Sequence, residues 1–285
     1  MKQPTVILLL SCPDQKGIVA SISNFIFKYN GNILSLDQYA VQPDNILFMR
    51  VEWDLDGFSI SREDIEEVFR PLAERFTMKW SLHFSDHVHR MAIFASQHLH
   101  CFHDLLMRRQ MGELNGDIVL AISNHLDLKP TAEQFNIPFK YYPITADTKE
   151  LQEEKELLDL EERRVDLIVL ARYMQILSPS LVHKYPHRII NIHHSFLPAF
   201  AGGSPYRQAY ERGVKVIGAT SHYVTDQLDE GPIIAQDVIK VSHKDSVEHM
   251  KMKGADIERV VLARAVRLHL ERRILICRSK TIIFD

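Results

Sequence analysis

The rhythm of apolar and polar positions changes near residue 87, and the two rhythms predict two kinds of domain. From the amino end, residues 5–11 form an apolar run suited to a buried strand, which Pro13-Asp14 ends. Gly17 opens a stretch in which Ile18, Ile22, Phe25 and Ile26 recur at helical spacing through Tyr29, and Asn30-Gly31 stops it as a left-handed cap does. Two strand-like runs follow, 33–41 and 46–55, joined by the turn signal Pro43-Asp44-Asn45. Ser61 is placed to cap a second helix, with Asp64 three residues on and Ile65, Val68, Phe69 and Leu72 behind it. A last strand is expected over 77–84. The order βαββαβ within about eighty residues is the split pattern of a ferredoxin-like domain.

The segment Ser85-Asp86-His87-Val88-His89 is polar and reads as a linker, giving domains at residues 1–87 and 88–285. Beyond it, strand-like runs alternate with helices. Strands are expected at 90–95, 117–123, 139–143, 166–171 and 188–193, and helices near 98–109, 131–135, 149–163 and 179–183. Leu167-Ile168-Val169-Leu170 is apolar throughout, as strands buried on both faces are. The alternation predicts an α/β, Rossmann-like fold with a mostly parallel sheet and right-handed crossovers. The final third carries strands near 216–223 and 233–241 and a long helix near 246–273. Ligands of such sheets bind beyond the carboxyl ends of the strands, here the loops after Ala95, Ser123, Ala171 and Ile192.

Composition narrows the class. A chain of 285 residues, 46% hydrophobic and 25% charged, is an ordinary globular protein of about two domains, not a disordered one. Net charge is −3, and the basic pairs Arg108-Arg109, Arg163-Arg164 and Arg272-Arg273 read as solvated helix faces, so no nucleic-acid partner is expected. Residues 6–10 are too short for a signal peptide, and no apolar run approaches the roughly 20 residues of a bilayer span, so a cytoplasmic protein without a membrane partner is expected. Cys12, Cys101 and Cys277 are scattered and odd in number, which fits a reducing compartment. The 15 histidines raise the question of a metal. They do not fall into ligand spacing with a carboxylate or cysteine, and none is expected.

Three loops carry candidate chemistry. In Ile190-Asn191-Ile192-His193-His194-Ser195, Asn191 and His193 are two apart at a strand end and share a face. A carboxamide N–H and a protonated imidazole are two donors for an oxyanion, an interaction often worth about 3–4 kcal/mol per donor. In the second loop, residues 222–232, a carboxylate stands just before Glu230-Gly231-Pro232. Partial burial is expected to raise its pKa toward neutral proton transfer. Spacing alone leaves Asp226 and Asp229 both open. The third, residues 171–179, is amphipathic and could hold a flat heterocycle through backbone groups.

These runs, NIHHSFLPAF, HYVTDQLDEGPII and ARYMQILSP, resemble the formyltransferase-fold enzymes that use 10-formyltetrahydrofolate. The doubled His193-His194, where glycinamide ribonucleotide transformylases carry His-Pro, resembles the formyltetrahydrofolate deformylases. The opening Cys12-Pro13-Asp14-Gln15-Lys16-Gly17 and the Gly31-Asn32-Ile33 turn resemble an ACT domain, which precedes the catalytic domain in that family. The resemblance implies catalytic roles for Asn191, His193 and Asp229, with His222 and His194 supporting. It implies folate contacts from Arg172, Met174, Gln175, Ile176, Leu177, Val224, Thr225 and Asp226. It also implies an amino-acid effector near Asp14, Gly17, Gly31 and Asn32, and a homo-oligomer, dimer or tetramer. The implied activity is amide hydrolysis: 10-formyltetrahydrofolate and water give formate, which feeds purine biosynthesis and one-carbon balance, and tetrahydrofolate, with no permanently bound cofactor. One departure is clear. Residues 200–206 carry Ala201 and Ser204 where the family usually has proline and lysine.

Alternatives remain from the sequence. Transfer of the formyl group to an amine acceptor is one. The loop Ala95-Ser96-Gln97-His98-Leu99-His100-Cys101 argues against a phosphorylated acceptor, since it lacks the glycines that bring backbone N–H groups around a phosphate. A transfer-RNA formyltransferase is expected to continue into a basic C-terminal domain. An inactive folate or amino-acid sensor and a zinc amidohydrolase are the others.

Overall fold

The computed structural model describes residues 3–42, 44–145, 147–199 and 205–285. The chain forms two compact units: Met1–Val88 with Glu271–Cys277 and Thr281–Asp285, and His89–Leu270 with Arg278–Lys280.

The first unit runs β1 (Thr5–Pro13), α1 (Ile18–Lys28), β2 (Ile33–Val41), β3 (Ile46–Asp54), α2 (Ile65–Arg75) and β4 (Lys79–Phe84). Its antiparallel sheet has the order β2-β3-β1-β4. Alternate residues of β1, Val6, Leu8 and Leu10, meet Met49, Val51 and Trp53 of β3 on one face. Both helices present a four-residue repeat to that face: Ile18, Ile22 and Ile26 from α1, and Ile65, Phe69 and Ala73 from α2.

The second unit contains β5 (His89–Phe94), α3 (Leu99–Gln110), β6 (Gly116–Ser123), α4 (Lys129–Gln134), β7 (Phe139–Tyr141), α5 (Lys149–Glu162), β8 (Leu167–Leu170), α6 (Pro179–Lys184), β9 (Ile189–His193), α7 (Pro205–Glu211), β10 (Val216–Tyr223), β11 (Ile233–Lys240) and α8 (Val247–Leu270). The sheet order is β11-β10-β9-β8-β5-β6-β7. Strands β9-β8-β5-β6-β7 are mutually parallel, and β10 is antiparallel to β9 and β11. Strand order reverses between β5 and β8, so the loops after these strands open a crevice where ligands of such sheets bind. Ser96 ties the two loops: its Oγ donates to Asn124 Oδ1 at 2.7 Å and accepts from Met174 N–H at 3.0 Å.

Three local expectations are corrected. Ser61 does not cap α2. Its hydroxyl bonds Asp64 Oδ2 at 2.5 Å within a turn, and Asp64 holds the cap position. The last helix stops at Leu270 rather than near 273, and two four-residue strands follow, β12 (Ile274–Cys277) and β13 (Lys280–Ile283). Their Leu275, Cys277 and Ile282, with Phe284, pack on Leu9 and Phe48. This apolar contact places most of the carboxyl terminus in the first unit, where the sequence assigned residues 88–285 to the second domain. Residues Pro43, Ala201 and Ser204, on which the turn signal and the family departure fall, lie outside the described residues.

Candidate active site

The site is assembled at the carboxyl ends of β8 and β9. Register places Leu170 beside Asn191 across the parallel β8–β9 pair, and His222 opposite Asn191 across the antiparallel β9–β10 pair. Two adjacent strand pairings therefore bring the loops after β8 and β9 together with the end of β10. The chain then turns back tightly. Tyr223 N–H donates to Pro232 O at 2.9 Å, and a Cβ on Gly231 would lie 1.7 Å from Tyr223 O. Only glycine permits that approach. The turn carries Asp229, in the left-handed region at φ 57, back toward the histidines.

His193 Nδ1–H donates to Asp229 Oδ2 at 3.2 Å, and His222 Nε2 lies 3.6 Å from Asp229 Oδ1. His222 Nδ1 is 2.9 Å from Tyr223 O, a group that can only accept, so Nδ1 carries the proton. In the neutral ring Nε2 then accepts from Asn191 Nδ2–H, 3.2 Å away, which fixes the carboxamide and leaves its second N–H uncommitted. His193 Nε2 is buried and has no hydrogen-bond partner among the described residues. A carboxylate on one ring nitrogen and an unengaged second nitrogen is the arrangement of an imidazole poised for proton transfer.

The structure settles which aspartate joins the histidines and reverses the expected direction of its pKa. Asp226 accepts from His183 Nε2 at 2.7 Å in an exposed pair. Asp229 faces His193. Its carboxyl is held well below the usual range chiefly by the His193 hydrogen bond, which outweighs burial, the effect that alone would raise it. Asp229 is a fixed carboxylate, not a near-neutral acid. His194 differs from its neighbour: burial, then the Arg172 cation, push it down to about 4, so it is neutral near pH 7. Its ring lies 5.2 Å from that of His193 and 5.9 Å from Tyr206.

A pocket of about 390 Å³ opens here, within the size range of small-molecule sites. Asn191, His193, His194, His222 and Asp229 line it. So do Arg172, Met174, Gln175, Ile176, Leu177, Val224, Thr225 and Asp226. Every catalytic, supporting and folate residue named from sequence thus borders one cavity. Met174, Ile176 and Leu228 are exposed and give it an apolar rim. Sequence reasoning missed Tyr173, a pocket residue whose side chain reads as ordinary core. It also missed the group behind Arg172. There Glu258, 2% exposed, accepts from His100 Nε2 at 2.7 Å and from Tyr206 OH at 2.6 Å, and pairs with Arg172 Nε at 3.6 Å. The available signal was Gly254 in mid-helix: a Cβ there would fall 2.0 Å from the Tyr206 oxygen.

His100, Cys101 and Glu258 place one ligand atom each within 4.8 Å of one another. They do not fit a metal ion. Both Glu258 oxygens are engaged, the Arg172 cation lies alongside, and burial holds the Cys101 thiol well above its ordinary value. In the first unit, Asp14 and Gly17 line a separate cavity of about 490 Å³ with Gln15 and Gln38. Gly31 and Asn32 are not part of its lining. A Cβ on Gly31 would meet Ile26 and Phe58 at 2.8–2.9 Å, and Asn32 N–H donates to Asp54 Oδ1.

The Formyl transferase family model matches residues 89–266. The formyltetrahydrofolate deformylase of Synechocystis sp. is 52% identical over 284 residues, 100% of each chain. A crystal structure of a formyltetrahydrofolate deformylase from Pseudomonas syringae pv. tomato matches with a TM-score of 0.97 at 45% identity, over 100% of this chain and 96% of that one. Glycinamide ribonucleotide transformylase 1 from Symbiobacterium toebii matches with a TM-score of 0.68 at 31% identity, over 72% of this chain and 98% of that one. With full-length relatives at this identity and a matching catalytic fold, the chain belongs to the formyltetrahydrofolate deformylase family.

Proposed function

We propose that this protein hydrolyses 10-formyltetrahydrofolate to formate and tetrahydrofolate. The observation that carries the reading is the Asp229–His193 pair, with His193 Nε2 buried and unengaged beside an oriented Asn191 amide. In this mechanism the folate sits with its pterin in the pocket between residues 172–177 and 224–228 and its N10-formyl group at His193. Water attacks the formyl carbon and gives a proton to His193 Nε2. Asp229 stabilises the imidazolium through Nδ1–H, and the free Asn191 N–H holds the oxyanion. On collapse the C–N10 bond breaks, N10 takes the proton from His193, and the formic acid released ionises to formate. No resident cofactor enters these steps.

Transfer to an amine is the less supported alternative. The relatives matched over the full chain are named deformylases, and His100, at the start of α3 just after the β5 loop, is paired with the buried carboxylate of Glu258 on α8, which opposes a phosphorylated acceptor. The test is incubation with 10-formyltetrahydrofolate alone: formate release is expected, and none without an added amine would overturn the hydrolase reading.

The first unit is proposed as an ACT-like regulatory module taking an amino acid in the cavity at Asp14 and Gly17, where a carboxylate is available for an ammonium. Isothermal titration with individual amino acids tests it. Homo-oligomerisation is proposed on β2, a sheet edge exposing Leu34 and Tyr39. A cytoplasmic location, supported by three unpaired cysteines, and a role for the formate in purine biosynthesis complete the proposal.

A further inference from the structure

Helix α5 carries three carboxylates on the side it buries. Glu153, Glu156 and Asp159 recur every third residue and are 4%, 0% and 6% exposed. Acidic side chains are almost never buried this fully unless paired. Two have evident partners. Both Glu153 oxygens accept Ser178 N–H, at 3.0 and 3.2 Å. Asp159 accepts the Tyr142 hydroxyl and pairs with Lys140 at 3.1 Å. Glu156 is less well served: Oε1 accepts the Tyr173 hydroxyl at 3.3 Å, and the buried Oε2 has no hydrogen-bond partner among the described residues. A half-satisfied buried carboxyl is costly and calls for a reason.

The partners of Glu153 and Glu156 bracket one segment. Tyr173 lines the pocket, its ring edge-on to Phe94 at 5.3 Å. Ser178 accepts from Leu181 N–H as the cap of α6. Between them run Met174, Gln175, Ile176 and Leu177, all lining the pocket. The segment is therefore pinned at each end by a carboxyl group of α5.

We propose that Glu153 and Glu156 are positioning residues for the substrate loop 173–178, and that they make its grip on the folate depend on pH. The inference rests on the folate-hydrolase reading above. Burial first, then the charge of Glu153, push the Glu156 carboxyl up to about 8. Near neutrality it is protonated and sits beside Glu153 without repulsion. The other titratable or charged groups around it are Asp159 on α5, Tyr173 from the loop, and Tyr142 and Lys140 from β7 and its end. Lys140 is committed to Asp159, and burial holds both tyrosines above their ordinary values, so none supplies a new positive charge. Above pH 8 Glu156 ionises next to Glu153. The repulsion is relieved most easily by movement at Tyr173 or Ser178, which loosens the loop and leaves Asn191, His193 and Asp229 in place. Because the folded carboxyl is raised, its contribution to stability is full below the ordinary carboxylate range and is lost as pH rises through about 8.

The test measures KM and kcat for 10-formyltetrahydrofolate, and Kd for tetrahydrofolate, at about pH 6.5 and about pH 9, either side of the Glu156 value. The full chain is compared with E156Q and Y173F. In the unsubstituted chain KM and Kd are expected to rise roughly three- to tenfold between the two pH values, with kcat tracking neither. E156Q, which keeps the neutral shape, is expected to hold the low-pH values at both. Should E156Q fail to fold, Y173F, which cuts the link and keeps the ring, must alter the same step. A flat KM and Kd in the unsubstituted chain, or a step unchanged in the variants, would overturn the inference. Absence of formate at both pH values overturns the hydrolase reading instead, and the Kd step still decides between the two outcomes for the loop.

Discussion

The two units bury very different things. Of the fifteen buried polar residues among those described, Thr5 and Arg50 lie in the first unit and the other thirteen in the second. The first unit closes its helix-facing core with Leu8, Leu10, Ile22, Met49 and Val51, side chains that ask only for close packing. The second buries His193, His222, Glu156, Glu258 and Thr220, each of which must find a partner or be left costly. The difference separates a unit built for packing from one built for chemistry, and it can be broken from either side.

The largest effect is expected from His193→Ala. Removing the group proposed to move the proton should lower kcat on the order of 10²–10⁴-fold, read as formate release. Asn191→Ala removes the proposed oxyanion donor and should cost about 10²–10³-fold in kcat. Its KM should change much less, which distinguishes a transition-state contact from general damage. Leu8→Ala in the first unit reverses the pattern. The cavity it leaves should cost about 2–5 kcal/mol in thermal unfolding, while kcat at a temperature where the fold persists stays near the unsubstituted value. A Leu8→Ala chain with native stability would break the comparison. The smallest effect is a pH signature. Because the folded Asp229 carboxyl is held below its ordinary range, its contribution to stability is present above about pH 4 and lost as pH falls below that. The thermal penalty of Asp229→Asn should therefore be larger near pH 7 than near pH 3.

Much of the fold was legible because it rests on period. Ile18, Ile22 and Ile26 mark the buried face of α1, and Leu167–Leu170 reads as a strand covered on both sides and is one. The site was legible where residues cluster at strand ends, as Asn191 and His193 do. What was not legible depends on partners distant in sequence. The direction of the Asp229 pKa is decided by its hydrogen bond to His193, which spacing cannot place. The β12–β13 hairpin has two four-residue strands, too short to show alternation. Helix α5 read as a charged helix, since nothing in 149–162 says that Glu153, Glu156 and Asp159 face inward until Ser178, Tyr173 and Tyr142 are seen against them. Glu258 is likewise invisible until Tyr206, His100 and Arg172 converge on it.

In the proposed mechanism Asp229, and not Asp226, works on His193. The most direct measurement is formate release from saturating 10-formyltetrahydrofolate by Asp229→Asn and Asp226→Asn, with tetrahydrofolate binding followed in parallel. Asp229→Asn should reduce turnover on the order of 10²–10⁴-fold while binding is largely retained, and Asp226→Asn should turn over nearly normally. Crippled turnover in Asp226→Asn with an active Asp229→Asn would overturn the pairing of Asp229 with His193 in the reaction.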